Sequence, residues 1–174
     1  GDICQGQVLF NGQDILKLDI KALRQLRGGA MSMIFQEPMA ALSPLQRIGR
    51  QMVETLQLHR NIAFKDAWQE AEDWLTRVKI SDAAERMYAY PFHLSGGMQQ
   101  RIMIAMALML QPQLIIADEP TTALDVTIQA QIFDLILDMR DEQTSILLIT
   151  HDMGVVWEMC DWVLVMYASK IVEQ

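Results

Sequence analysis

The feature that most constrains this chain is the run Leu114-Ile115-Ile116-Ala117, closed by the acids Asp118 and Glu119. A short, uninterrupted apolar run is the mark of a parallel strand buried on both faces. A second run, Ser145 to Thr150, ends at His151, and the amphipathic segment 126–140 lies between the two, with Ile128, Ile132, Leu135 and Met139 at helical spacing. A helical pattern at 153–160 and a third strand-like stretch at 162–167 follow. Strand, helix, strand, helix, strand predicts a parallel α/β sheet. Parallel strands end at one edge, where open α/β sheets bind their ligands. Asp118, Glu119 and His151 are therefore expected to converge there. Paired acids after a buried strand suit metal-assisted phosphoryl transfer, one carboxylate at a Mg²⁺ shell and the other orienting or deprotonating water. An imidazole can donate to developing phosphate charge. The plainer alternative is that the acids cap loops.

The first half reads differently. Residues 7–11 and 30–35 are predicted as strands, 14–27 as a helix broken by Gly28-Gly29. From 41 to 95 the pattern is helical, over 48–58, 65–78 and 81–88, with Trp68, Leu75 and Val78 facing inward and Asp66, Glu70, Glu72 and Asp73 facing solvent. Leu94-Ser95-Gly96-Gly97 precedes a Met-rich helix over 98–110, read as adaptable core. Two glycines before a helix let backbone N–H groups approach an anion. An ordinary Ser N-cap explains the same residues.

Charge narrows the partners. The 174 residues carry 14 Lys and Arg against 22 Asp and Glu, a net charge of -8. That balance disfavours nucleic acid, whose phosphates need clustered cations. The longest apolar run, Ile102 to Leu110, is far short of the ~20 residues of a membrane-spanning helix. Cys4 and Cys160 have no metal-ligand spacing and are expected to be inert. His59 and His93 are expected to be structural or at the surface rather than catalytic, and Trp157 and Trp162 to pack inward.

Taken jointly, the motifs resemble the ATP-binding cassette ATPases. The signature matches Leu94-Ser95-Gly96-Gly97-Met98-Gln99-Gln100-Arg101, the Walker B motif Leu114 to Asp118 with Glu119 next, the D-loop Ala123-Leu124-Asp125, the switch histidine His151, and the Q-loop Gln36 in Ile34-Phe35-Gln36-Glu37-Pro38. Gln36-Glu37-Pro38-Met39, Leu42-Ser43-Pro44 and the stretch from Ala117 to Thr127 look like the ATPase subunits of bacterial oligopeptide, dipeptide and nickel importers. That branch usually reads Tyr-Pro-His-Gln where this chain has Tyr90-Pro91-Phe92-His93.

The resemblance implies an α/β fold: a RecA-like P-loop NTPase core with an inserted α-helical subdomain. Residues 1–40 would belong to the core up to the Q-loop, 41–97 to the helical subdomain ending in the signature, and 98–174 to the core again. It implies ATP and Mg²⁺ as ligands. Ser95, Gly96, Gly97 and Gln99 would hold nucleotide bound mainly by a second ATPase subunit, with Asp125 crossing between the two. Asp118 would serve the metal, Gln36 would contact the metal or the attacking water and link to the membrane subunit, Glu119 would be the general base, and His151 would hold the γ-phosphate. Expected partners are the second ATPase subunit, transmembrane permease subunits and, indirectly, a solute-binding protein, with no nucleic acid. The expected place is the cytoplasmic face of the bacterial inner membrane. The expected function is ATP-driven transport of peptides or nickel; a non-transport ATPase of the same class and a catalytically dead interaction module are the alternatives. A Walker A loop, G-x-x-x-x-G-K-[ST], is also implied, but none of the nine glycines precedes a lysine. The expectation is therefore an N-terminally truncated chain that is inactive by itself.

Overall fold

The computed structural model describes residues 5–121, 126–139 and 143–174. A hairpin opens the described chain, β1 (Leu9–Phe10) pairing antiparallel with β2 (Gln13–Asp14). The helix expected over 14–27 is split. Asp14 caps a single 3-10 turn, Ile15–Lys17, and Asp19 then caps α1 (Ile20–Leu26), its Oδ1 accepting from the Ala22 N–H at 2.7 Å. Two acidic caps five residues apart satisfy two sets of free N–H donors, so the backbone restarts rather than continuing. Gly28, at φ 83°, ends the element, and its N–H donates to Met31 O at 2.7 Å. A Cβ there would lie 2.8 Å from His59 Nε2, so the imidazole fills the space that the glycine leaves. His59 is structural, as expected.

Strand β3 (Met31–Ile34) follows, and then α2 (Ile48–His59), α3 (Phe64–Arg77) and the short α4 (Ala83–Arg86). In α3 the buried residues Ala67, Ala71, Trp74 and Leu75 are spaced for one face, and Asp66 and Asp73 lie exposed. Helix α2 approaches the α4 region closely at Gly49, whose N–H donates to Met87 O at 2.9 Å. The buried Gln51 amide pins the loop before α2. It accepts from Ser43 N–H at 2.8 Å and donates to the Ser43 and Gln46 carbonyls at 3.0 and 2.9 Å. Such a fully satisfied buried amide fixes the path of the chain at little cost.

Helix α5 (Gly96–Leu108) is central. Ile102, Met103, Ile104, Ala105, Ala107 and Leu108 are all buried, which takes in most of its circumference. Its methionines are core, as the composition suggests. One contiguous apolar cluster runs from Ile34 and Leu56 through Leu75 and Met103 to Ile115 and Ile136. Arg101 ties the helices together, donating to Val78 O at 3.2 Å and to Gln131 Oε1 at 2.8 Å.

Strand β4 (Leu114–Asp118), helix α6 (Val126–Met139) and strand β5 (Ser145–Ile149) complete a parallel sheet of order β3-β4-β5. Ile34 stands opposite Ala117, and Asp118 opposite Ile149. Helix α7 (Met153–Met159) leads to β6 (Val165–Tyr167) and β7 (Lys170–Glu173).

Three expectations fail at this end. The strand expected at 162–167 does not join the parallel sheet; it is shortened to β6 and pairs antiparallel with β7 in a separate hairpin. The turn Ala168-Ser169 has positive φ at both residues, which suits a tight hairpin. Strand β5 is not buried on both faces but forms the described sheet's edge, with Leu147 and Ile149 exposed. Trp157 and Trp162 do not pack inward: they are 90% and 81% exposed.

Candidate functional site

The site is built on the carboxyl ends of the three parallel strands. Gln36 lies just beyond β3, Asp118 ends β4 with Glu119 next, and His151 lies just beyond β5. The strands are in register, so residues far apart in sequence meet. Gln36 Nε2 donates to Glu119 Oε2 at 3.1 Å. His151 Nδ1 lies 3.1 Å from the other oxygen, Oε1. An ionised carboxylate accepts only, so this contact puts the ring proton on Nδ1. The Glu119 side chain is 28% exposed and that of His151 74%, so the cluster opens to solvent on the imidazole side.

Local structure holds each member. Glu119 has φ 44°, a left-handed backbone uncommon outside glycine, and its N–H donates to Ile149 O at 2.9 Å. This conformation turns the chain off the strand at the acid. His151 sits in the turn between β5 and α7. Asp152 N–H donates to Thr150 Oγ1 at 3.1 Å, and Asp152 Oδ1 caps α7, accepting from Gly154 N–H at 2.8 Å. Gln36 is followed by a 3-10 turn, Pro38–Ala40, started by a proline that presets φ.

Asp118 stands half-buried at the end of β4 and makes no ion pair among the described residues. Those residues also contain no group of three His, Cys, Asp or Glu placed to hold a metal alone. One carboxylate and one amide oxygen at the same sheet edge fit Mg²⁺, which keeps waters and substrate oxygens in its shell and needs no all-protein cage. Gln36 meets that description: its Nε2 is directed at Glu119, leaving Oε1 as an acceptor.

Ser95 caps α5, its Oγ accepting from Met98 N–H at 3.3 Å. Gly96 is exposed, and a Cβ built on it would meet nothing within 4 Å. Gly97, half-buried, is the next residue of the helix. Gln99 is turned inward. Its Nε2 donates to Pro91 O at 2.8 Å and to Leu94 O at 3.2 Å, bracing the turn that precedes Ser95. The amide nitrogen expected at the ligand is thus engaged within the chain. The variant stretch before the signature packs on itself: Phe92 stacks on Tyr90, with centroids 5.5 Å apart, and meets His93 edge-on at 4.4 Å. Asp125 lies outside the described residues. The buried Gln100 contributes a contact that the motif reading did not isolate, donating to Pro120 O. The signal available was a polar residue two positions before the apolar run that starts at Ile102.

Residues 2–122 match the family model described as ABC transporter. The chain belongs to the ABC transporter family. It is 51% identical over 170 residues to a probable peptide ABC transporter ATP-binding protein, y4tR, of Sinorhizobium fredii, covering 97% of this chain and 51% of that protein. It is 51% identical over 169 residues to the oligopeptide transport ATP-binding protein OppD of Salmonella typhimurium, covering 97% of this chain and 50% of that one. The chain thus spans about half the length of the curated relatives it matches. Among solved structures, the ATP-binding cassette MJ0796, a dimer in a post-hydrolysis state bound to ADP and Pi, superposes with a TM-score of 0.76 at 27% identity, over 87% of this chain and 65% of that one. The cbiO1 protein of Clostridium perfringens, part of the ABC transporter complex cbiONQ, gives 0.78 at 25% identity, over 98% and 65%. The fold is that of an ABC ATPase cassette, an α/β P-loop NTPase architecture with helices inserted between β3 and β4.

Proposed function

We propose that this chain forms the catalytic half of an ATP-hydrolysing subunit that drives peptide transport across the bacterial inner membrane. The observation that carries the reading is the convergence of Gln36 and His151 on the two oxygens of Glu119. A carboxylate held at both oxygens is fixed in orientation, and a fixed base is what in-line attack of water on a phosphoryl group requires. Glu119 takes the proton from that water. Asp118 and Gln36 would hold Mg²⁺, which would supply positive charge against the phosphate oxygens. With Nδ1 turned to Glu119, His151 offers Nε2 to a phosphate oxygen, and it donates there when the ring is protonated.

The signature turn serves a second subunit. Among the described residues Gly96 has no neighbour that would exclude a side chain, so its lack of a Cβ is explained by something that approaches from outside. A phosphate on the N-terminus of α5 suits that description, with Ser95 and Gly97 beside it. The dimeric ADP-bound relative supports two such subunits facing each other. Asp125 is assigned to that contact from its place in the motif. Peptide is the solute carried by the names of the relatives given above, whereas nickel is not among them. Permease subunits and a solute-binding protein are the remaining partners. Among the described residues no helix is long and apolar enough to cross a membrane, which suits a subunit bound peripherally to the cytoplasmic face.

The test is Glu119→Gln in the complete gene product. ATP hydrolysis should fall by about a hundredfold or more while Mg-ATP still binds. Unchanged turnover would remove Glu119 from the base role.

A further inference from the structure

Gln100 is 2% exposed, on the first turns of α5, five residues after Ser95. Its Nε2 donates to the carbonyl of Pro120, the residue after Glu119. The neighbouring Thr121 carbonyl accepts from Gln129 Nε2 on α6 at 3.2 Å. Glu119 itself is anchored through its N–H to Ile149 O at 2.9 Å. The left-handed backbone at Glu119 is therefore held on both sides by bonds from different elements. Such a conformation persists where its surroundings over-determine it.

From this arrangement we infer that Gln100 is a positioning residue: it ties the helix carrying the signature turn to the backbone that aims the Glu119 carboxylate. The inference rests on the hydrolytic reading above for its purpose, though not for its existence. Ser95 and Gly96 begin the same rigid helix that carries Gln100. A group that docks on the turn and shifts α5 moves the Gln100 amide, and with it the Pro120 carbonyl. In a dimer of facing subunits, the signature turn of one copy and its own acid serve different nucleotides. Gln100 then links the two sites through one hydrogen bond and about a turn and a half of helix.

The experiment compares wild type with Gln100→Met, which keeps the length of the side chain and removes the donor. In this chain, amide hydrogen exchange at Glu119 should accelerate by about tenfold or more, with Ile104 and Ala105 in α5 within about twofold of wild type. In the complete gene product, kcat for ATP should fall by about tenfold or more with KM within about twofold. Unchanged exchange at Glu119 overturns the inference. So does equal acceleration at Glu119 and across α5, because Gln100 would then serve global stability alone. Gln100→Leu replaces the Met variant if the latter does not fold, and failure of both to fold also overturns it. The exchange comparison needs no nucleotide. A wild-type protein without ATP hydrolysis would sink the hydrolytic reading while the exchange data still decided the tether.

Discussion

Gln36 and Glu119 are 83 residues apart in the chain, yet the amide of one donates to the carboxylate of the other at 3.1 Å. The pairing exists because β3 and β4 are parallel neighbours in register, with Ile34 opposite Ala117. Removing the donor leaves one oxygen of the carboxylate without that restraint. A hydrogen bond to a charged group contributes roughly 1.5–3 kcal/mol. Gln36→Leu in the complete gene product should therefore lower kcat for ATP by about tenfold to a hundredfold, with the circular dichroism spectrum unchanged.

His151 holds the opposite oxygen of the same carboxylate. Two residues that act through one contact do not add independently. Steady-state rates for Glu119→Gln, His151→Ala and the double variant should show that the second substitution costs about tenfold less than it does alone. Strict additivity would mean that the pair does not work as a unit.

Among the described residues, nothing stands where a side chain on Gly96 would project. Ala is favoured over Gly in a helix by about 1 kcal/mol. Gly96→Ala should leave the urea midpoint of the chain unchanged or slightly raised. It should nonetheless lower ATP hydrolysis by about tenfold or more in the complete gene product, because the added methyl stands where the phosphate of the facing subunit's nucleotide would approach.

Gly49 is the opposite case. A Cβ there would lie 2.8 Å from the Trp68 ring and 2.9 Å from the Met87 carbonyl oxygen. Backbone cannot yield as a flexible side chain can, so Gly49→Ala should destabilise the chain by about 1–3 kcal/mol despite the better helix propensity. Chemical denaturation of the two proteins measures the difference.

Burial, and then the neighbouring Asp161, push the Cys160 thiol above its ordinary range. The thiolate is the reactive form. In a Cys4→Ser background, maleimide labelling at neutral pH should be slower than for a free cysteine, and should accelerate as pH rises past the usual thiol range. Rapid labelling at neutral pH would contradict the shift.

The sequence determined by itself what followed from local chemistry. Leu114 to Asp118 could bury apolar side chains on both faces only as an inner strand, and β4 is one. The spacing of Ala67, Ala71, Trp74 and Leu75 made α3 amphipathic, whatever it packs against. Asp118, Glu119 and His151 could be named because each ends or follows a strand whose direction was readable, and Gln36 because of the motif around it. Tertiary structure decided everything that depends on which strand pairs with which, and on which face finds a neighbour. The stretch at 162–167 has the composition of a sheet strand, but its partner is the adjacent β7, a pairing that no local pattern specifies. Trp157 and Trp162 are apolar by composition and exposed by position, because burial is a property of neighbours. The Gln100 contact to Pro120 and the Gln51 contacts to Ser43 and Gln46 were equally hidden. A buried amide is placed by the carbonyls that receive it, and those are brought near by the fold.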